Sequence, residues 1–202
     1  MTPAPIDLPN LHAAIAQRRS LGLSRLKPDA VPPAILEERM QAANWAPSNG
    51  DTEPWRFAIF TGEGRNQLAD LFEQTYPLDH PGQNDPVAIQ GYRDRAHLAP
   101  VWIAIGMVPK LGEDGQPEES LDEEIMAVAC AVQNLHLVAA AHGLIGMWHS
   151  KGLSMSPVVR THLGWDEPGR LLGMFFCGYP NVAWPEGERG PWSDKVTWIG
   201  GN

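Results

Sequence analysis

Cysteine is scarce in this chain: Cys130 and Cys177 are the only two, far apart and set in apolar runs. One disulfide is open on paper, but two such residues are more often buried thiols in a reducing cytosol. Basic residues are also few. Fifteen Lys and Arg stand against 24 Asp and Glu, a net charge of -9, which leaves no broad basic face for nucleic acid. One local anion pocket is still compatible with that balance. No stretch reaches the roughly 18 consecutive apolar residues of a membrane span. The opening Met1–Asn10 is proline-rich, without a basic start and apolar run, and does not read as a signal peptide. The expectation is a cytoplasmic protein that binds neither membrane nor nucleic acid.

Recognisable catalytic and metal patterns are missing too. The seven histidines, His12, His80, His97, His136, His142, His149 and His162, form no HExxH or Cys/His set. His136 and His142 are six apart, poor spacing for one helix face. A metal hydrolase is therefore a weak alternative, with core or surface histidines the simpler reading. No Ser/His/Asp or Cys/His arrangement is identifiable either.

What is present is a soluble globular composition, 43% apolar and 19% charged over 202 residues, enough for one domain with a real core. The pattern predicts helices over 10–18 (capped by Asn10, with Leu11 and Ile15 on one face), 33–45, 64–76, 119–142 and 155–163. Ile35, Leu36, Arg39 and Met40 share helical spacing in the second. Strands are predicted at Trp55–Thr61, Val101–Val108, Leu144–His149 and Leu171–Tyr179. Residues 76–97 are polar and rich in Pro and Gly, and read as a mobile excursion with one helix near 86–97. The helix over 119–142 opens on acidic residues and turns apolar nearly all round, so it should be the centre of the core. The tail 180–202 holds Trp184, Trp192 and Trp198, which need a surface to cover them: their own subunit or a partner, at even odds. These elements make one α+β domain.

Three segments carry candidate chemistry. Arg18-Arg19-Ser20 at a helix end forms a compact anion site, since a guanidinium binds two phosphate oxygens at once. Ala46-Pro47-Ser48-Asn49-Gly50-Asp51-Thr52-Glu53-Pro54-Trp55 is a polar loop braced by two prolines, suited to the edge of a heteroaromatic ring. Gly143 through Gly152, with Trp148-His149-Ser150, lets backbone approach a flat ligand. Taken alone, each also fits a plain structural role.

Their order and separation, together with the long apolar helix and Gly178-Tyr179-Pro180, resemble the nitroreductase family over about residues 11–180, and its compact YdjA-like branch in particular. The resemblance implies an α+β nitroreductase-like fold: a mixed, mainly antiparallel sheet flanked by helices, with residues 181–202 as a C-terminal arm extending to a dimer partner. It further implies a homodimer with FMN at the interface, reduced by NADH or NADPH and oxidised by nitroaromatic, quinone or similar acceptors in a ping-pong hydride mechanism. The flavin carries the chemistry and no side chain is catalytic. Arg18, Arg19 and Ser20 match the phosphate and ribityl contacts. Trp45, Ser48 and Asn49 match positions reaching FMN from the other subunit. Trp148, His149 and Ser150 match the segment along the ring, and residues 76–97 are expected to shape the cleft.

Three departures bear on activity. Glu53 replaces a common Gln, and an anion near the ring would disfavour the reduced flavin. Gly22 stands where a basic residue is frequent, with Arg25 later in the loop. His149 stands where close relatives often carry Arg, making the phosphate grip weaker or pH-sensitive. A non-catalytic flavin-binding protein, or a specialised dehalogenase or flavin-destroying member, stays open as an alternative.

Overall fold

A computed structural model describes residues 8–200. Its β-branched and aromatic runs form β1 (Trp55–Thr61), β2 (Val101–Met107), β3 (Ile145–His149) and β4 (Arg170–Gly178). They lie in the order β1-β2-β4-β3, and every neighbouring pair is antiparallel. The parallel component of the expected mixed sheet is absent among the described residues.

All seven residues of β2 are buried, because helices cover both faces of the sheet. Val101, Ile103, Ile105 and Met107 pack toward α2 (Pro33–Ala43) and α5 (Leu121–Ala141). Trp102 and Ala104 alternate to the other side, against α3 (Gly64–Asp79) and α6 (Pro157–His162). The sheet alternation thus sorts one strand between two core clusters.

The central helix α5 begins with a capping box. The Ser120 hydroxyl accepts from the Glu123 amide at 3.3 Å and donates to the Glu123 carboxylate at 3.0 Å. Glu118 and Glu119 therefore precede the helix, which starts two residues later than its acidic run implied. By length and hydropathy α5 is the one described helix apolar enough to cross a membrane. Its packing on α2 and the sheet accounts for that composition. Cys177 is buried as expected, but Cys130 is exposed, on a face of α5 turned away from its own core.

Other departures have local causes. Helix α1 is Leu8–Gln17, so Asn10 lies inside its first turn and does not cap it. Leu11 and Ile15 are exposed at 40% and 48%. Residues 76–97 are not an excursion: α3 runs through Pro77, and α4 (Pro86–Arg95) folds back on it, capped by Asp85. The polar residues that obscured this hairpin pair across it. Tyr76 meets Tyr92 edge-on at 5.3 Å, Tyr92 donates to Asp79 at 2.9 Å, and Arg93 pairs with Asp70 and Glu73. Burial, then the bond to Asp79, pushes the Tyr92 phenol up to about 12. The expected helix at 155–163 divides into a 3-10 turn, Gly152–Met155, and α6, which Ser156 caps.

A bulge in β4 bears directly on the third candidate segment. Ile105 pairs with Gly173 and Gly106 with Leu171, so Leu172 is the extra residue. Its carbonyl accepts from the Trp148 indole at 2.9 Å. Gly173 has φ 123°, and a Cβ there would lie 2.5 Å from the His149 carbonyl and 2.8 Å from the Trp148 indole nitrogen. Gly173→Ala should lower the free energy of unfolding in urea by about 3 kcal/mol, from backbone strain plus overpacking. A change below about 0.5 kcal/mol, the range of neutral surface substitutions, would show that the bulge does not set the position of 148–150.

Candidate functional site

Helix α1 ends at Gln17 and delivers Arg18 and Arg19 to a cavity of about 360 Å³. Arg189, from the C-terminal segment, completes the charged wall, with Gln133 of α5 and Ile15 beside it. No salt bridge among the described residues reaches any of the three arginines. Partial burial, then Arg189 and Arg19, lower the pKa of Arg18. Three cations lining one cavity without a carboxylate among its lining residues have the chemistry to hold an anion of more than one charge. Arg18 also donates to the Ser20 hydroxyl at 3.3 Å, which keeps that side chain at the rim.

Arg19 serves the backbone. Its guanidinium donates to the Pro185 carbonyl at 2.9 Å, to Arg18 O at 2.9 Å and to Ala16 O. Gly187 crosses it so closely that a Cβ would meet the guanidinium carbon at 2.3 Å. Trp184 donates its indole N–H to Gln17 O at 2.9 Å. The start of the tail therefore packs on its own chain, whereas Trp192 and Trp198 are 67% and 78% exposed.

Behind the cavity lie three buried polar side chains. His136 of α5 has Nε2 at 3.2 Å from Arg19 O and meets Phe175 edge-on at 4.8 Å. Arg39 of α2 is fully buried, donates to Leu135 O at 3.2 Å and to Cys177 Sγ at 2.9 Å, and lies 5.2 Å from the Phe175 ring centroid. Its second terminal nitrogen has no partner among the described residues. Burial raises the Cys177 thiol, and Arg39 partly offsets that.

The second segment is a braced hook. Thr52 donates to buried Glu124 at 2.7 Å, Asn49 to Glu119 at 2.7 Å, and the Glu53 amide to the Ser48 hydroxyl at 3.2 Å. Gly50, Asp51 and Glu53 all have positive φ, conformations that side chains other than glycine adopt at a cost of about 1–3 kcal/mol. Trp45 beside it is 86% exposed. In the third segment His149 Nδ1 lies 3.0 Å from Ser154 Oγ, and Ser150 is exposed. Burial, then Arg95 and Lys151, lower the pKa of His149, so it stands neutral at neutral pH.

The first segment is tied to the core through His136 of α5, and the third closes β3. The second does not join the first within one chain. It is tied to Glu124, and twelve residues of α5 separate Glu124 from His136, about 18 Å at helical rise. Sequence reasoning missed Arg189, although an Arg in an otherwise acidic, tryptophan-bearing tail was a signal. It placed Arg39 among the apolar positions of α2 but did not assign it the buried partners Leu135 O and Cys177.

The pattern of the Nitroreductase family matches residues 15–179, and the chain belongs to that family. YdjA of Escherichia coli (strain K12), which bears the name of an NAD(P)H nitroreductase, is 31% identical over 168 residues, 83% of this chain and 87% of its own. A nitroreductase-like family protein from Bacillus cereus superposes with a TM-score of 0.76 at 27% identity over the whole of both chains. The FMN-dependent nitroreductase NfnB from Mycobacterium smegmatis, solved with NADPH, gives 0.69 at 20% identity over 96% of this chain and 100% of its own. Fold and family together define an oxidoreductase of the nitroreductase type.

The site should be acid-sensitive through His136. Burial, then Arg18 and, less strongly, Arg39, lower its pKa to about 4, against contributions from the Arg19 and Gly146 backbone that raise it. Below pH 6.5 the unfolded chain takes up this proton first, so the associated stability is complete above 6.5 and is lost as pH falls toward 4. The loss should reach about 3 kcal/mol. Urea unfolding at pH 7 and pH 4.5 should show a smaller acid-side loss in His136→Leu than in the wild type. Equal losses would place the acid sensitivity elsewhere.

Proposed function

We propose that this protein is an FMN-dependent NAD(P)H oxidoreductase of the compact YdjA-like branch, a cytoplasmic homodimer that passes electrons to nitroaromatic, quinone or similar electron-poor acceptors. The observation that carries the reading is the pocket of Arg18, Arg19 and Arg189. Its uncompensated charge fits a phosphate monoester, and Trp148, His149 and Ser150 at the end of β3 are assigned to the ring and phosphate on the same subunit. NfnB, an FMN-dependent protein of the same fold, is consistent with this.

FMN, when bound, supplies hydride acceptance and donation; the chain's residues hold and orient it. Arg18 and Arg189 grip the phosphate, and Arg19 keeps the tail over the pocket. Ser20 offers a hydroxyl to the ribityl chain. Trp45, Ser48 and Asn49 are assigned to the opposite side of the ring, from a second copy. The separation of about 18 Å along α5 supports that assignment, because one chain does not bring its own hook to its own pocket.

The uncovered apolar surface supports the dimer. Trp45, Met126 and Ile15 are 86%, 59% and 48% exposed, and Trp198 and Ile199 of the tail 78% and 95%. β1 is an open sheet edge, flanked by a groove of about 450 Å³ lined by Leu36, Met40 and Ile59. The arm 181–202 is assigned to cover such a surface on its partner. A second reading, flavin binding without turnover, draws on His149. Neutral at neutral pH, it grips an anion less firmly than an Arg would.

The purified protein should be yellow, and anaerobic NADH or NADPH should bleach it; a yellow protein that neither bleaches favours the second reading. Arg18→Ala should weaken FMN binding by more than tenfold, as expected for losing a charge-assisted contact. Full FMN content in purified Arg18→Ala would contradict the assignment of the pocket.

A further inference from the structure

We propose that His136 is the positioning residue of the anion pocket, holding the Arg18–Ser20 turn against the central helix. The inference rests on the reading above only in taking FMN phosphate as the anion. It starts from the end of α1, where the closing carbonyls lack helical partners. Side chains take the last two of them and the two carbonyls that follow the helix. Arg19 itself takes Ala16 O and Arg18 O, Trp184 takes Gln17 O, and His136 takes Arg19 O at 3.2 Å.

The first three of these bonds come from the turn or from the tail that crosses it, and move with them. Among the described residues, only the His136 side-chain bond reaches the turn from the core. His136 is 6% exposed, fixed on the central helix and packed edge-on to Phe175 of β4. A carbonyl accepts, so Nε2 carries the ring proton. Arg18, the residue preceding this carbonyl, has one guanidinium nitrogen on Ser20 and otherwise faces the cavity. A shift of the 18–20 backbone therefore moves the guanidinium away from the phosphate position while leaving the ring end of the cleft intact. That selectivity separates positioning from general stability.

The test compares wild type, His136→Leu and His136→Gln, titrated with FMN and with riboflavin, which lacks the phosphate, by flavin fluorescence. Glutamine places a carboxamide N–H near the place of Nε2. His136→Leu should bind FMN about tenfold more weakly, the effect of one lost hydrogen bond with its carbonyl left unpaired. Its riboflavin affinity should stay within about twofold, and His136→Gln should recover most of the FMN affinity. Unchanged FMN affinity in His136→Leu, or parallel losses for FMN and riboflavin, would overturn the proposal. If His136→Leu does not fold, His136→Gln decides: an FMN preference over riboflavin like that of the wild type supports positioning, and a lost preference contradicts it.

A wild type that binds no flavin would refute the proposed function instead. Thermal protection by inorganic pyrophosphate then decides the present point. Protection present in wild type and reduced in His136→Leu supports the positioning role, and equal protection, or none in wild type, refutes it.

Discussion

Uncompensated positive charge governs this molecule more than any single packing contact. Three guanidiniums, Arg18, Arg19 and Arg189, gather between the end of α1, α5 and the tail, and no salt bridge among the described residues neutralises them. In a chain of net charge -9 such an arrangement is unfavourable until an anion enters. Other local features then make sense as its support. Gly187 lets the tail lie over Arg19, Ser20 occupies one nitrogen of Arg18, and His136 remains an uncharged donor because the surrounding cations and its burial keep a proton off.

The sheet and its two helical layers position this charge at the end of α1, against α5. The β4 bulge sets the end of β3: Gly173 and the Leu172 carbonyl hold Trp148–Ser150 in place. The hook at 47–54 is as firmly built, on Thr52, Glu124 and three residues at positive φ. Strain of that kind persists where the surroundings over-determine it. Exposed Trp45, Cys130 and Met126 lie on the same side of the molecule as the hook, around its small cavity or adjoining it in sequence.

Much of this could be read from the residues in order. Alternation at Val101–Met107 and the apolar length of α5 report burial directly, so those elements appeared within a residue or two of their true limits. Helices near 64–76 and 86–97 appeared as well, but their packing into one ordered hairpin did not, because it lies in pairs such as Arg93 with Glu73 and Tyr92 with Asp79, which are polar in composition and silent in periodicity. The anion site was half legible. Arg18, Arg19 and Ser20 are adjacent in sequence, while Arg189 reaches them only through the path of the tail. His136 and Arg39 were hidden for a related reason: a polar residue on an apolar face announces burial but not its partner.

Native mass spectrometry of the purified protein tests the central claim most directly, because it weighs the assembly and its ligand together. The account predicts a species of two chains carrying two FMN molecules, with flavin lost before the dimer dissociates. A single chain without flavin, after incubation with excess FMN, would contradict it.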